Sequence, residues 1–304
     1  MSAGPVVVLA GGTGGAKLAR GMLDVAGDDL VVLANTGDDI EIYEAYVSPD
    51  PDLCTFWLAD RIDERGWGLQ GDTFAAMDEL RALGEDIWFN LGDRDLAIGL
   101  LRARRLREGA RLTEALGELG AALGLRARVL PMSDAPVRTW VLSGERWTSF
   151  QEFMIRGRAE GPVDGMELRG IEAAAPPPEA LEAIAAARAI VIGPSNPVIS
   201  INPILEVPGM RDALAAASAK VVAVSPLVEG AVVKGPTEAF IAWAGFELSA
   251  AGIAGYYGDV LDGIVTDEAE AGDLPILTTD TLMGDGAARR RVAEETLRFA
   301  ESLR

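Results

Sequence analysis

A glycine-rich turn between an apolar run and a helical segment constrains the fold of this chain most. Residues 5–21 read PVVVLAGGTGGAKLARG, and a helix-compatible segment begins near Ala16. The turn comprises Gly11, Gly12, Thr13, Gly14 and Gly15. Glycines let backbone N–H groups approach phosphate oxygens closely, and a helix N-terminus adds roughly half a positive charge. The sequence therefore predicts that this turn, together with Lys17, binds a phosphorylated ligand.

The turn departs from the two common phosphate-binding fingerprints. A G-x-G-x-x-G pattern begins at Gly12, but its last position is Lys17. A P-loop needs Gly-Lys-Ser or Gly-Lys-Thr, whereas Ala16-Lys17-Leu18 stands here. The sequence therefore favours neither an ordinary dinucleotide site nor a P-loop kinase. A nicotinamide dehydrogenase is disfavoured further because the chain contains no histidine and no Tyr-x-x-x-Lys pair.

Two adjacent carboxylates follow the second apolar run. Residues 30–34 lead into Asn35-Thr36-Gly37-Asp38-Asp39, where a Rossmann site carries a single acid. Tandem aspartates on a turn suit a hard cation such as Mg²⁺, which prefers a few carboxylates together with phosphate oxygens. We therefore predict that Asp38 and Asp39 bind Mg²⁺ and that Asn35 contacts the ligand. An ordinary polar turn is the alternative.

Strand-like apolar runs alternate with helical periodicity along the chain. Several runs are continuously apolar, as expected for strands whose sheet is covered on both faces. We predict an α/β fold with a Rossmann-like, doubly wound, mostly parallel sheet. The predicted strands are Pro5–Ala10, Leu30–Ala34, Asp86–Leu91, Ala127–Leu130, Val137–Leu142, Ala189–Gly193, Val221–Ser225, Gly263–Thr266 and Ile276–Thr278. The clearest predicted helices are Thr73–Ala82, Leu112–Leu123, Pro178–Ala187, Gly209–Ala217 and Gly286–Leu303.

One segment interrupts the alternation of strand and helix. Residues 137–153 read as two strands joined at Ser143-Gly144-Glu145-Arg146, which predicts an antiparallel hairpin at a sheet edge or in a small flap. Three consecutive prolines make residues 173–178 a stiff connector. We predict a single domain over residues 1–304 with this inserted helical and hairpin portion, and any sub-division would fall near residues 173–178.

A third loop at a predicted strand end also carries charged groups. Residues 91–95 contain Asp93 and Arg94 between a predicted strand and a helix. Ligands of α/β sheets bind at the carboxyl edge, where such loops lie. Asp95 in the same loop is either part of this site or a helix N-cap.

Two more loops follow predicted strands further along the chain. Residues 193–204 place Ser195 and Asn196 between prolines, and such uncharged donors suit phosphate oxygens or a nucleobase edge. Lys234 lies in a later glycine-proline loop and, like Lys17, is a candidate phosphate contact, with a solvated surface lysine as the alternative. Because several strand ends present glycine and polar groups, we predict a large cleft for one large ligand or two ligands.

Composition excludes several classes of protein. A net charge of −20 argues against nucleic-acid and anionic-membrane partners, which need basic faces. Without histidine, the chemistry must come from carboxylates, arginine, lysine, hydroxyls, amides or an oxygen-bound metal. The single cysteine, Cys54, fits a reducing compartment, and no apolar run reaches the ~20 residues of a membrane span. The N-terminus lacks a basic region, so we expect no secretory signal and a cytoplasmic protein.

A series of specific motifs spans most of the chain: GGTGGAKLARG, NTGDD, RGWGLQGDTF (65–74), LGDRDLA (91–97), LREGARLTEAL (106–116), RVLPMSD (128–134), PVRTWV (136–141), QEF (151–153), GPSNPVISINPI (193–204) and VVKGPTEAF (232–240). In order and spacing they resemble the 2-phospho-L-lactate transferases of coenzyme F420 biosynthesis, the CofD/FbiA family. The resemblance implies a Rossmann-like fold, a homodimer and a Mg²⁺-dependent reaction. A guanosine-diphosphate-linked donor, lactyl- or enolpyruvyl-diphosphoguanosine, would pass its phospho-acyl group to the ribityl hydroxyl of the deazaflavin Fo, releasing GMP.

The implied reaction gives each predicted site residue a role. Asp38, Asp39 and Asp52 would hold Mg²⁺ across the donor diphosphate. Asp93 and Arg94 would orient donor or acceptor, so the predicted catalytic residues are Asp38, Asp39, Asp93 and Arg94. The amides of the glycine turn and the Ser195-Asn196 loop would hold phosphates or guanine. Three tryptophans are candidates for the deazaflavin wall or for the core: Trp57, Trp67 and Trp88.

The chain also departs from the family pattern. The family commonly carries a histidine after NTGDD, where Tyr43 and its neighbours stand. Cys54 replaces a family carboxylate, which would remove a hard oxygen ligand from the metal. A further common histidine is lost near Gly99, and PMSDD ends here in Ala135. These departures leave two alternatives open: a paralogue with an altered acceptor, and a non-catalytic nucleotide- or nucleotide-sugar-binding regulator of the same superfamily.

Overall fold

The computed structural model describes residues 4–233 and 235–303. The strands within these ranges are β1 (Val6–Ala10), β2 (Leu30–Ala34), β3 (Ile40–Ile42), β4 (Ala45–Val47), β5 (Arg128–Pro131), β6 (Arg138–Ser143), β7 (Arg146–Ser149), β8 (Gly165–Arg169), β9 (Ala189–Ile192), β10 (Val221–Val224), β11 (Leu227–Val228), β12 (Ala231–Val232), β13 (Gly263–Thr266) and β14 (Ile276–Thr278). The helices are α1 (Gly12–Ala26), α2 (Pro49–Leu58), α3 (Ala75–Ala82), α4 (Asp93–Arg107), α5 (Leu112–Ala122), α6 (Pro178–Ala186), α7 (Asn202–Leu205), α8 (Met210–Ala216), α9 (Thr237–Trp243), α10 (Ala250–Tyr257) and α11 (Gly286–Ser302).

A seven-stranded sheet forms the centre of the fold. Its strand order is β14-β13-β10-β9-β1-β2-β5, and neighbouring strands pair in parallel. The chain runs outward from β1 to β5, returns beside β1 at β9, and continues outward to β14. This confirms the predicted doubly wound α/β sheet. The direction of winding reverses between β1 and β9, and α/β proteins bind ligands at the carboxyl ends of the strands at such a point.

Helices cover both faces of this sheet. Successive residues of a strand point to opposite faces, and β1 is buried along its whole length. Val6 and Val8 belong to an apolar cluster shared with α1, α2 and α11. Val7 and Leu9 belong to a second cluster shared with α6, α8 and α10. The continuously apolar strands therefore follow from burial on both faces.

The predicted hairpin is present and lies outside the central sheet. Ser143 of β6 pairs with Arg146 of β7 across a two-residue turn, and Gly144 in that turn has φ of +63°. The opposite edge of β6 pairs with β8, giving a separate sheet in the order β7-β6-β8. The sequence did not predict β8, because its residues are partly exposed and carry no continuous apolar run.

The prediction of a strand at residues 86–91 was wrong. These residues form no strand, and α4 begins directly after them at Asp93. Ile87 and Phe89 pack instead against a small cluster that contains the buried Met77. The outer edge of β2 is already taken by β5, so this run has no place beside it in the central sheet.

The division of the chain into domains stays a prediction. The connector at residues 173–178 runs from a short 3₁₀ turn into α6 and includes the buried Ala174. No helix in the part of the chain that the structure describes is both long and apolar enough to cross a membrane.

Candidate functional site

A cavity of about 390 Å³ opens at the carboxyl ends of β1, β9 and β10. Eight residues that the sequence singled out line it: Gly11, Gly12, Thr13, Gly14, Lys17, Asp38, Ser195 and Asn196. Two loops that are distant in sequence, after β1 and after β9, therefore meet at one site. Gly15 lies within the first turn of α1, buried beneath the cavity rather than lining it.

The glycine turn is shaped by close approach of backbone to backbone. Gly12 has φ of +62°, a conformation that favours glycine. A Cβ on Gly14 would lie 1.9 Å from the Pro194 carbonyl oxygen, so no side chain fits there. Because α1 begins at Gly12, the amides of Thr13 and Gly14 belong to its first turn and have no intrahelical acceptor. These amides could therefore donate to a phosphate, and phosphate binding by the turn stays a prediction.

Asp50, at the start of α2, also lines the cavity, and the sequence analysis missed it. Its Oδ1 accepts a hydrogen bond from the Gly12 backbone N–H at 2.6 Å. Its Oδ2 accepts one from Asn35 Nδ2 at 2.9 Å. Asn35, whose Oδ1 accepts from the Gly37 N–H, therefore positions Asp50 and does not itself line the cavity. The sequence Pro-Asp-Pro-Asp at residues 49–52 offers two acids two positions apart, of which the sequence analysis selected only Asp52.

Asp38 lies beside Asp50 with little access to water. Asp38 is 7 % exposed, and its Oδ1 has no hydrogen-bond partner among residues 4–233 and 235–303. Burial and then the Asp50 carboxylate raise the pKa of Asp38 well above its usual range. Burial likewise raises the pKa of Asp50 to about 6, although the Gly12 hydrogen bond opposes the rise. Two such carboxylates require a shared proton or a cation between them.

This donor set fits a magnesium ion. Among the described residues, no group of three or more His, Cys, Asp and Glu side chains is arranged to hold a metal by itself. Mg²⁺ commonly takes only one or two carboxylates and completes its shell with water and phosphate oxygens. The unpartnered Asp38 oxygen next to Asp50 offers such a pair at the phosphate end of the cavity.

Asp39 faces a second, smaller cavity of about 220 Å³. Asp38 and Phe150 line both cavities, so the two meet at these side chains. Ser48 Oγ donates to Asp39 Oδ1 at 2.8 Å, whereas Asp39 Oδ2 is buried and has no hydrogen-bond partner in the described part of the chain. Burial raises the pKa of Asp39 to about 7, although the Arg138 guanidinium opposes the rise.

Asp52 lines neither cavity and instead pairs with a buried arginine. Both of its carboxylate oxygens accept hydrogen bonds from the Arg102 guanidinium, which is 3 % exposed. Arg102 also donates to the Tyr46 carbonyl at 3.0 Å. The geometry therefore assigns to Asp52 the neutralisation of a buried arginine, and it is Asp50 that reaches the glycine turn.

Asp93 and Arg94 form part of a paired helix cap. The Asp93 carboxylate accepts from the Thr73 hydroxyl and from the Ala75 and Ala76 N–H groups at the start of α3. The Arg94 N–H in turn donates to Asp72 at 2.9 Å. Neither side chain lines the two cavities that meet at Asp38.

Ser195 and Asn196 are held by the backbone around them. Ser195 Oγ donates to the Gly11 carbonyl at 2.5 Å and so ties the two strand-end loops together. Asn196 Oδ1 accepts from the Val198 and Ile199 N–H groups, which fixes the orientation of its amide. Its Nδ2 is buried with no partner in the part of the chain that the structure describes, and Asn196 lines the larger cavity, so this amide is a candidate donor to a ligand.

The remaining predicted residues take several positions. Lys17 lines the larger cavity, and Lys234 lies outside the described residues. The candidate tryptophans Trp57, Trp67 and Trp88 line neither cavity, whereas Trp140 and Phe150 line the smaller one.

The departures from the family pattern lie mainly in packing positions. Cys54 is fully buried in the apolar cluster beneath α2, which favours a packing role, and its place at the metal stays an untested prediction. Gly99 allows α4 to pack closely on β4, because a Cβ there would lie 2.9 Å from Ala45 Cβ. The Tyr43 hydroxyl accepts from the Phe89 N–H, and the Ala135 N–H donates to Ser133 Oγ.

Comparison with known proteins shows which family the chain belongs to. The profile of the family "2-phospho-L-lactate transferase CofD" matches residues 6–280. A 2-phospho-L-lactate transferase of Methanosarcina mazei is 40% identical, over 88% of each chain. A phosphoenolpyruvate transferase of Kitasatospora aureofaciens is 39% identical, over 98% of each chain. The crystal structure of protein BH3568 from Bacillus halodurans shares the fold with a TM-score of 0.58 at 19% identity, covering 95% of this chain and 90% of that one. The chain therefore belongs to the CofD family of 2-phospho-L-lactate transferases.

Proposed function

We propose that this protein transfers a phospho-acyl group, 2-phospholactyl or phosphoenolpyruvyl, from a guanosine-diphosphate-linked donor to the deazaflavin Fo in coenzyme F420 biosynthesis. GMP leaves, and Mg²⁺ is required. The observation that carries the proposal is the meeting of two cavities at Asp38, one lined by the glycine turn and the other by Trp140 and Phe150. A transferase for two large substrates needs two such compartments with a shared reaction centre.

The larger cavity suits the nucleotide donor. The amides of Thr13 and Gly14, with Lys17, would bind the diphosphate at the helix N-terminus. Asn196 Nδ2 would donate to a further oxygen of the nucleotide. Apolar side chains, among them Val228, line the rest of the cavity and give a nucleobase a surface on which to pack.

The chemistry takes place where the cavities meet. The acceptor hydroxyl attacks the phosphorus of the phospho-acyl group, and the bond from that phosphorus to the GMP oxygen breaks. Asp38 and Asp50 would hold Mg²⁺, which supplies neutralisation of the charge on the donor phosphates. We assign acceptance of the hydroxyl proton to Asp39 Oδ2, because this atom is unpartnered, buried and lines the smaller cavity.

The test is an incubation of the protein with Fo, lactyl-diphosphoguanosine and Mg²⁺, followed by mass spectrometry. We expect the phospholactyl ester of Fo and GMP in equal amounts. Binding of the nucleotide without any product would favour the alternative of a non-catalytic nucleotide- or nucleotide-sugar-binding regulator. If product forms only with an acceptor other than Fo, the alternative of a paralogue with an altered acceptor would be favoured. The homodimer and the cytoplasmic location remain predictions.

A further inference from the structure

The smaller cavity carries an unusual density of unsatisfied polar atoms. Three of the residues that line it each carry a buried side-chain atom with no hydrogen-bond partner among the described residues: Asp38 Oδ1, Asp39 Oδ2 and Thr139 Oγ1. Buried polar groups of proteins nearly always have partners, so orphaned atoms around one cavity indicate a polar ligand. Thr139 is only 1 % exposed, and its hydroxyl therefore has no ready access to bulk water.

The phospho-acyl group to be transferred would bring a further negative charge to the acidic region around Asp38. The names of the two relatives, 2-phospho-L-lactate transferase and phosphoenolpyruvate transferase, share one chemical feature. In both fragments, a carboxylate is attached to the carbon that bears the phosphate oxygen. When the phosphorus lies at Asp38, a carboxylate in the smaller cavity shares that space with three acidic lining residues, Asp38, Asp39 and Glu41. It needs a cation beside it, because like charges that share a small, partly buried space repel.

Arg138 supplies that cation. It lies at the start of β6, is half-buried, and is the basic residue among those that line the smaller cavity. One terminal nitrogen donates to the Val137 carbonyl at 2.9 Å and the other to the Tyr46 hydroxyl at 3.2 Å. These bonds use two of the five guanidinium donors and fix the plane of the group. An arginine fork held in this way is suited to bind a carboxylate.

We propose that Arg138, assisted by the Thr139 hydroxyl, binds the carboxylate of the phospho-acyl group and so determines specificity for a carboxylate-bearing donor. This inference rests on the proposed function. Lys17 is less suited to the task because it lines the larger cavity beside the phosphate-binding turn. A purely structural role is the competing explanation, in which Arg138 only neutralises Asp39 and supports Tyr46.

The experiment measures binding to the full-length protein by titration calorimetry with three probes. These are GDP, lactyl-diphosphoguanosine, and an analogue of the latter in which a carboxamide replaces the carboxylate. The wild type should bind the carboxylate compound about tenfold or more tightly than the carboxamide, since hydrogen bonds to charged groups have this strength. In Arg138→Gln the preference should fall to near unity while the affinity for GDP stays unchanged. Arg138→Lys should retain part of the preference.

Two control variants distinguish recognition of the carboxylate by Arg138 from a purely structural role of this residue. Arg169→Gln removes a neighbouring arginine that stacks on Trp140 at 3.8 Å but does not line the cavity, and it should keep the full preference. Tyr46→Phe removes the hydroxyl that Arg138 contacts, and this variant should keep most of the preference for the carboxylate compound. A wild type without preference for the carboxylate, or Arg138→Gln with the preference intact, overturns the inference even if GDP binds. Failure of the wild type to bind either guanine compound overturns the proposed function as well.

Discussion

The Asp50 carboxylate accepts a hydrogen bond from the Gly12 backbone N–H at 2.6 Å, which places an acid at the N-terminus of α1. Asn35 holds the other oxygen of this carboxylate, so loops after β1 and β2 and the start of α2 are joined through one side chain. The arrangement occupies the first amide of the turn. A bound phosphate must therefore accept hydrogen bonds from the next amides, those of Thr13 and Gly14. It would then lie near the negatively charged Asp50 carboxylate, which repels it. A cation between the phosphate and Asp50 resolves this conflict.

Replacing either acid at the cavity should reduce activity strongly without unfolding the protein. We expect Asp38→Asn and Asp50→Asn each to lose about 3 kcal/mol or more of transition-state stabilisation, roughly a hundredfold in kcat/KM. Steady-state kinetics over a Mg²⁺ titration measure the effect. The matched control is Asp93→Asn, which changes the side chain that caps α3 and should leave activity near wild type with at most a small change in melting temperature. Full activity in both cavity variants would contradict the metal assignment.

Asp52 should prove to be a structural residue. Asp52→Asn leaves the guanidinium of Arg102 buried without its counter-charge, and breaking such a pair costs about 3–5 kcal/mol. Urea denaturation should show this loss in the free energy of unfolding, while the Mg²⁺ concentration for half-maximal activity stays unchanged. A stable variant with an altered Mg²⁺ requirement would return Asp52 to the metal site.

Guanine nucleotides should stabilise the protein, and NAD⁺ should not. A ligand that binds only the folded state adds about 2.7 kcal/mol at a hundredfold excess over its Kd. GDP or GMP with Mg²⁺ should therefore raise the melting temperature by several degrees, measured by differential scanning fluorimetry. The larger cavity lacks the glycine fingerprint of a dinucleotide site, since Lys17 takes its last position. A shift with NAD⁺ and none with guanine nucleotides would reverse this expectation.

The sequence predicted the central sheet well because its signals are local. A strand such as β2, buried on both faces, reads as a continuous apolar run and was placed at the bounds the structure has. The meeting of the turn at Gly12 with the loop at Ser195 also followed from the rule that ligands bind at the carboxyl ends of parallel strands. The run at residues 86–91 also read as a strand, but the position beside β2 is taken by β5, which only the complete topology reveals.

The partners of the charged side chains could not be read from the sequence. Asp50 and Asp52 are two residues apart, yet one contacts Gly12 and the other Arg102, because a rotation of about 200° along α2 separates them. Asp93 similarly resembled a catalytic acid, whereas its contacts are with the first amides of α3. These distinctions depend on helix orientation and on residues about 20 to 50 positions away, which the pattern of one segment does not contain.

Asp95 should make stability depend on pH. Burial, followed by the charges of Asp52 and Asp72, raises its pKa to about 7, whereas an unfolded aspartate has a pKa of about 4. Between these values the unfolded state binds fewer protons than the folded state, so stability falls as pH rises through this window. Asp95→Asn should lose less stability between pH 5 and pH 8 than the wild type, by about 1–2 kcal/mol after allowance for solvent screening. Urea denaturation at both pH values measures this difference. Equal losses of stability in the wild type and in Asp95→Asn would show that Asp95 is ionised throughout.

Cys54 offers the sharpest test of how the family pattern maps onto this fold. Its side chain is fully buried, and burial with the nearby Asp50 and Asp52 charges raises the pKa of the thiol well above its usual range. Cys54→Asp would place a carboxylate one helical turn after Asp50 in apolar surroundings, and it should cost about 3 kcal/mol or more of stability. Cys54→Ala, which adds no charge, should cost only about 1 kcal/mol. Melting temperature and Mg²⁺-dependent activity should be measured together in both variants. We expect the aspartate variant to melt earlier with an unchanged Mg²⁺ requirement; a reduced requirement would mean that position 54 reaches the metal after all.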